Sequence, residues 1–105
     1  MGNNTVKYET GATSHAVNDL ILFTDNTREL AECRDNIYAA FANNNSAPQH
    51  FDFSTLIRMA KAYYYNEFTK ANSKHIESMS YEEIKEYCQL YADDFNNWKS
   101  EHGYK

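Results

Sequence analysis

Between residues 79 and 98 apolar side chains recur at every third or fourth position: Ile84, Tyr87, Cys88, Tyr91, Phe95 and Trp98. At 3.6 residues per turn this spacing gathers them on one helical face, while Glu82, Glu86, Gln89, Asp93 and Asn96 fall on the other. Ser80 followed by Glu83 has the capping-box pattern, and Met79 and Ile84 are spaced as a hydrophobic staple. The pattern predicts one amphipathic helix that frays near Gly103. Such a helix must bury its stripe against something, and the rest of the chain offers partners with the same period.

Ser14 can cap a helix whose inner face holds Val17, Leu20, Ile21 and Phe23. A second stripe follows at Leu30, Cys33, Ile37, Tyr38 and Phe41. Asn26 with Glu29 is another capping-box match, so a new helix can begin inside Thr24-Asp25-Asn26-Thr27. Equally, Leu20, Phe23, Thr27, Leu30, Arg34, Ile37 and Phe41 stay nearly in phase through that polar tetrad, which suits a single helix over 14–43. The spacing leaves both open. Residues 43–50, rich in Asn with Ser46 and Pro48, read as a loop. Asp52 can cap the next helix, with Phe51 and Leu56 as its staple pair. Its stripe of Phe53, Leu56, Ile57, Ala60, Tyr64, Phe68 and Ala71 predicts an end near residue 72. A connector with room for one turn around Ile76 leads to the last helix. Residues 1–13 lack periodicity and are expected to form a flexible N-terminal arm, with 14–105 as a single helical domain. The expected architecture is all-α, a small antiparallel helical bundle of three or four helices.

Composition agrees. At 105 residues the chain is one domain or less. Hydrophobic residues make up 42% and aromatics 15%, too many for a disordered chain and enough for one modest core. One Pro and three Gly are few for an all-β chain with its many turns. No stretch approaches the roughly 20 apolar residues of a membrane span. The first residues lack the basic and apolar regions of a signal peptide, so a cytoplasmic location and no membrane association are expected. Cys33 and Cys88 each fall within an apolar stripe and read as buried free thiols; a disulfide between the two helices is the other reading.

The net charge of −5 argues against wholesale coating of nucleic acid. Its distribution is uneven. From 53 to 75 the cations Arg58, Lys61, Lys70 and Lys74 face Glu67 alone. From 77 to 94 the anions Glu77, Glu82, Glu83, Glu86, Asp93 and Asp94 face Lys85 alone. Complementary rims on neighbouring helices explain this structurally. Functionally it offers two surfaces. Tyr63-Tyr64-Tyr65 spreads around the helix, leaving Tyr64 on the stripe and Tyr65 in line with Arg58 and Lys61. An exposed Tyr between cations suits partner recognition, because the ring gives contact area at low entropic cost and the cations steer. Loop-covering roles for Tyr63 and Tyr65 would explain them equally.

Chemistry is sparse. His15, His50, His75 and His102 are scattered, and no Cys-x-x-Cys, Glu-x-x-His or His-x-x-x-His spacing occurs, so no metal and no cofactor are expected. Both thiols lie on apolar faces, where burial makes them inert. No Gly-rich phosphate loop or Gly-x-Ser-x-Gly is present, and no enzymatic activity is expected.

The stretch Leu22-Phe23-Thr24-Asp25-Asn26-Thr27-Arg28-Glu29-Leu30 resembles a group of short phage-encoded helical proteins. They carry an apolar helix end followed by Asp-Asn-Thr-x-Glu-Leu. Phe51-Asp52 and the later Tyr65-Asn66-Glu67-Phe68 resemble their second half. The neutral 43–50 loop departs from the basic segment often found there, and the final helix has no counterpart. The resemblance implies a phage or prophage origin and no activity. It draws attention to Asp25, Asn26 and Thr27, whose residue types helix capping alone would explain.

These observations lead to a small non-enzymatic protein-binding accessory factor, phage-encoded and acting on a host protein, for example as an inhibitor of a defence system. Its expected partner-binding residues are Arg58, Lys61 and Tyr65, or Glu82, Glu86 and Asp93. A nucleic-acid-binding accessory protein using the basic Tyr-bearing face is the first alternative, and a self-assembling homodimer the second.

Overall fold

The computed structural model describes residues 7–104. Five α-helices account for most of them: α1 (His15–Asn26), α2 (Arg28–Asn43), α3 (Ser54–Glu67), α4 (Lys74–Glu77) and α5 (Tyr81–Glu101). No strand occurs among the described residues, so the fold is all-helical. The single turn α4 falls where a turn around Ile76 was expected. The molecule measures 41 × 39 × 21 Å, a slab about two helix diameters thick.

Helix starts and stops follow from local hydrogen bonds. The α5 capping box forms as the spacing predicts: Glu83 N–H donates to Ser80 Oγ at 3.2 Å, and Ser80 N–H donates to the Glu83 carboxylate at 2.8 Å. Ser14 caps α1 by accepting from Val17 N–H. The two readings of 14–43 are decided at Thr27, whose φ of −107° and ψ of 115° are extended, so the chain breaks into two helices there. The cap of α2 is Thr27 rather than Asn26, and no side-chain cap bond forms. The far end of α2 closes in a Schellman arrangement. Asn45 takes a φ of 53°, Ser46 N–H donates to the Phe41 carbonyl and Asn45 N–H to that of Ala42.

Asp52 does not cap α3 directly. A 3-10 turn, His50–Phe53, precedes that helix, and the Asp52 carboxylate accepts from Gln49 N–H at its start. Phe51, expected as a staple, is 75% exposed. The helix stops at Glu67, short of the expected residue 72. Phe68 turns to φ −123° and ψ 152°, and its ring folds back on Tyr64, centroids 4.6 Å apart.

Ala12, Val17, Leu20, Leu30, Tyr38, Phe53, Leu56, Ile76 and Tyr87 are fully enclosed, with Cys88, Tyr91 and Phe95 almost so. Burying a side chain of Leu or Phe size contributes about 1.5–3 kcal/mol, so this cluster supplies the main cohesion. α1 packs against each of the other four helices and is the centre of the assembly. Residues 7–13 depart from the expected loose arm. Ala12 is buried, Tyr8 N–H and Gly11 N–H close a turn, and Thr13 donates from both N–H and Oγ1 to the Glu86 carboxylate on α5. Gly11 has a φ of +92° and lies so close to α5 that a Cβ would meet Leu90 Cδ2 at 3.1 Å. Residues 1–6 of the expected arm lie outside the described residues.

Candidate functional site: an acid-rimmed groove and a histidine–carboxylate cluster

The apolar stripe of α2 is wider than its neighbours can cover. Leu30 and Tyr38 point into the core and are enclosed, whereas Cys33, Ile37 and Phe41 remain half-buried. Together with Met59 of α3 they floor a groove of about 550 Å³ between the two helices. Glu29 and Glu32 of α2 and Asp52 of the 3-10 turn stand along it. Spacing explains the alignment. Glu29, Cys33 and Ile37 follow one another at i, i+4 along one ridge of α2, and Thr55 and Met59 do the same on α3. Burial raises the Cys33 pKa, which lowers the thiolate fraction of the thiol in the floor.

The second feature joins residues far apart in sequence. His15 and Asp19 are one turn apart near the start of α1, and His75 sits in α4. Ser73 and Ile76, both fully buried, hold α4 in place; Ser73 Oγ donates to the Thr69 carbonyl at 3.0 Å. His75 is thereby laid over α1. Its Nε2 lies 2.8 Å from Asp19 Oδ2, and His15 Nε2 lies 3.4 Å from the same oxygen. The two imidazoles stack with centroids 4.8 Å apart at 22°. The Tyr64 ring stands edge-on to His75 at 6.1 Å and 87°. Burial, and then the adjacent Asp19 carboxylate, raise the Tyr64 pKa. Among the described residues, these three side chains form a donor set that could hold a metal ion, with all three donor atoms within 4.8 Å of one another. The sequence offered a single clue, the i, i+4 spacing of His15 and Asp19; its third member is 56 residues beyond Asp19.

The residues expected to bind a partner do not converge. Arg58 is exposed on α3, 3.5 Å from Thr55 Oγ1, and Lys61 is half-buried. Tyr65 is not an exposed ring between cations: its hydroxyl is buried without a hydrogen-bond partner, beside Lys70 and Glu77. Desolvation, and then the Glu77 charge, raise its pKa. Glu86 is occupied by Thr13, and Asp93 accepts from Gln89 at 3.0 Å, so both are tied to neighbours; Glu82 is exposed. Cys33 and Cys88 are free thiols. No helix among the described residues is long and apolar enough to cross a membrane.

No family model, curated protein or solved structure matches the chain.

Proposed function

We propose that this chain is a non-enzymatic protein-binding factor, a small antiparallel helical bundle that receives a basic amphipathic segment of its partner in the α2–α3 groove. The carrying observation is that Cys33, Ile37, Phe41 and Met59 stay half-buried beneath Glu29, Glu32 and Asp52. A partly desolvated apolar floor supplies binding energy, and the acidic rim selects and steers a cationic partner. The net charge of −5 favours the same partner at longer range. Arg58, one turn from Thr55 at the groove edge, would act at its periphery. The likeness to phage-encoded helical proteins supports a host protein as the target, a defence enzyme being one candidate, met in the cytoplasm.

Affinity capture from a bacterial lysate, with and without nuclease, tests this against a Glu29→Lys/Glu32→Lys variant of unchanged circular dichroism. The reading requires a protein that survives nuclease and is lost with the charge reversal. Capture that ignores the reversal removes the groove, and capture that vanishes with nuclease moves the function to nucleic acid. The half-buried Tyr65, its hydroxyl enclosed, weakens that nucleic-acid alternative, because the ring expected to stack on bases is not freely exposed. Light scattering showing a dimer, with the groove variants monomeric, would place a second copy of this chain in the groove instead.

A further inference from the structure

The cluster across α1 and α4 goes beyond protein binding. We propose that His15, Asp19 and His75 bind one divalent transition-metal ion of the Zn²⁺ class, clamping α4 to α1. Two imidazoles and a carboxylate are a nitrogen-rich set that suits Zn²⁺ and its first-row neighbours rather than Mg²⁺ or Ca²⁺, which prefer oxygen.

The geometry is close to what such an ion needs. Bonds of about 2.0–2.1 Å in a tetrahedral arrangement place the donor atoms roughly 3.3 Å apart. Here His15 Nε2 and Asp19 Oδ2 are 3.4 Å apart and His75 Nε2 and Asp19 Oδ2 2.8 Å, with all donors within 4.8 Å. The near-parallel rings, 22° between planes, present their Nε2 atoms to the same carboxylate oxygen.

The surroundings meet two further requirements. A ligand carboxylate is held by neighbours, and the Tyr64 hydroxyl adjoins Asp19. An ion also needs an entry path, and the His15 side chain is 64% exposed. Three protein ligands leave a fourth position for water. For the ion to enter, His75 Nε2 must present its lone pair; a neutral ring does this by carrying its proton on Nδ1, so no other reactant is consumed.

The test is calorimetric titration of Zn²⁺ alone into the chelator-treated full chain, with visible absorption of the Co²⁺ form as a second readout. One ion per chain is expected, with tetrahedral Co²⁺ bands, and His75→Gln should weaken binding by more than about tenfold. His15→Gln, at an exposed position, should do the same, and serves if His75→Gln fails to fold. A His50→Gln/His102→Gln variant should bind like the parent. The proposal is overturned if the parent takes up no Zn²⁺, if His15→Gln binds as tightly as the parent, or if the His50/His102 variant is the one that loses the ion. Because neither the floor nor the rim of the α2–α3 groove is altered, partner capture should survive His15→Gln, which separates this proposal from the protein-binding one.

Discussion

Tyr87 Oη on α5 lies 3.0 Å from Thr24 Oγ1 on α1, with both groups enclosed in the core. The Thr24 hydroxyl already donates to the Leu20 carbonyl at 2.7 Å, so its one proton is committed and Tyr87 must be the donor between them. Desolvation raises the Tyr87 pKa, which keeps that proton in place. The two substitutions at this pair should therefore differ. Tyr87→Phe removes a donor and leaves Thr24 still bonded, costing about 1 kcal/mol. Thr24→Val strands the tyrosine hydroxyl in the core, costing about 1–3 kcal/mol. Urea denaturation of both variants checks the order; equal losses would show that the enclosed hydroxyl finds another acceptor.

Asp25 holds the joint between α1 and α2. Its Oδ1 accepts from Arg34 Nη1 at 2.5 Å and from the Tyr91 hydroxyl at 2.9 Å. This is a tertiary role, whereas the sequence suggested only capping. Asp25→Ala should cost about 1–3 kcal/mol, since Arg34 is 81% covered and loses its partner across the joint. Asp25→Asn keeps an acceptor and should cost less. Thermal melts at low and moderate salt would separate the charge from the hydrogen bonds.

Acid should loosen the attachment of α1 to α5. Ser14 and then the Ser80 N–H hydrogen-bond the Glu83 carboxylate and lower its pKa from an ordinary value of 4.5. A carboxylate whose folded pKa is depressed stabilises the fold above the ordinary value, and this contribution disappears as pH falls through the lowered one. Glu83→Gln should flatten the stability profile in that acid window and leave the neutral-to-alkaline profile parallel to the parent. A variant profile retaining the full acid slope would assign it to other carboxylates.

The two thiols should label at different rates. Burial pushes Cys88 to about 11, and the residue is 1% exposed, with its Sγ close to the His50 carbonyl. Cys33, half-buried in the groove floor, is more accessible. In a native-state reaction with a thiol reagent, Cys33 should react first and Cys88 only at the rate of structural opening. Single Cys→Ser variants assign the phases, and a fast Cys88 phase would contradict the packing around it.

What the sequence disclosed was mostly local. The α5 box at Ser80 and Glu83 and the stripe through Tyr87, Cys88, Tyr91 and Phe95 are written in neighbouring residues, and all appear as spaced. The break at Thr27 was ambiguous because the stripe stays in phase across it; the extended backbone is held there by Asp25 and Arg34, an interaction over nine residues. The missed features depend on contacts between distant elements. Cys33 and Ile37 read as core on a helical wheel, and only the placement of α3 shows that they line a groove. Tyr65 read as exposed because its cover, Glu77 at the end of α4, is set by the fold. His75 meets Asp19 only because buried Ser73 and Ile76 anchor a one-turn helix.

The central position of α1 also bears on how the chain is made. Its partners Tyr87 and Tyr91 lie more than sixty residues downstream. A ribosome-tethered chain that has emerged only as far as residue 80 would hold Val17, Leu20 and Thr24 with no α5 to cover them. Vectorial synthesis thus leaves the α5-facing side of α1 uncovered until α5 has cleared the exit tunnel, even where α2, α3 and α4 have already emerged.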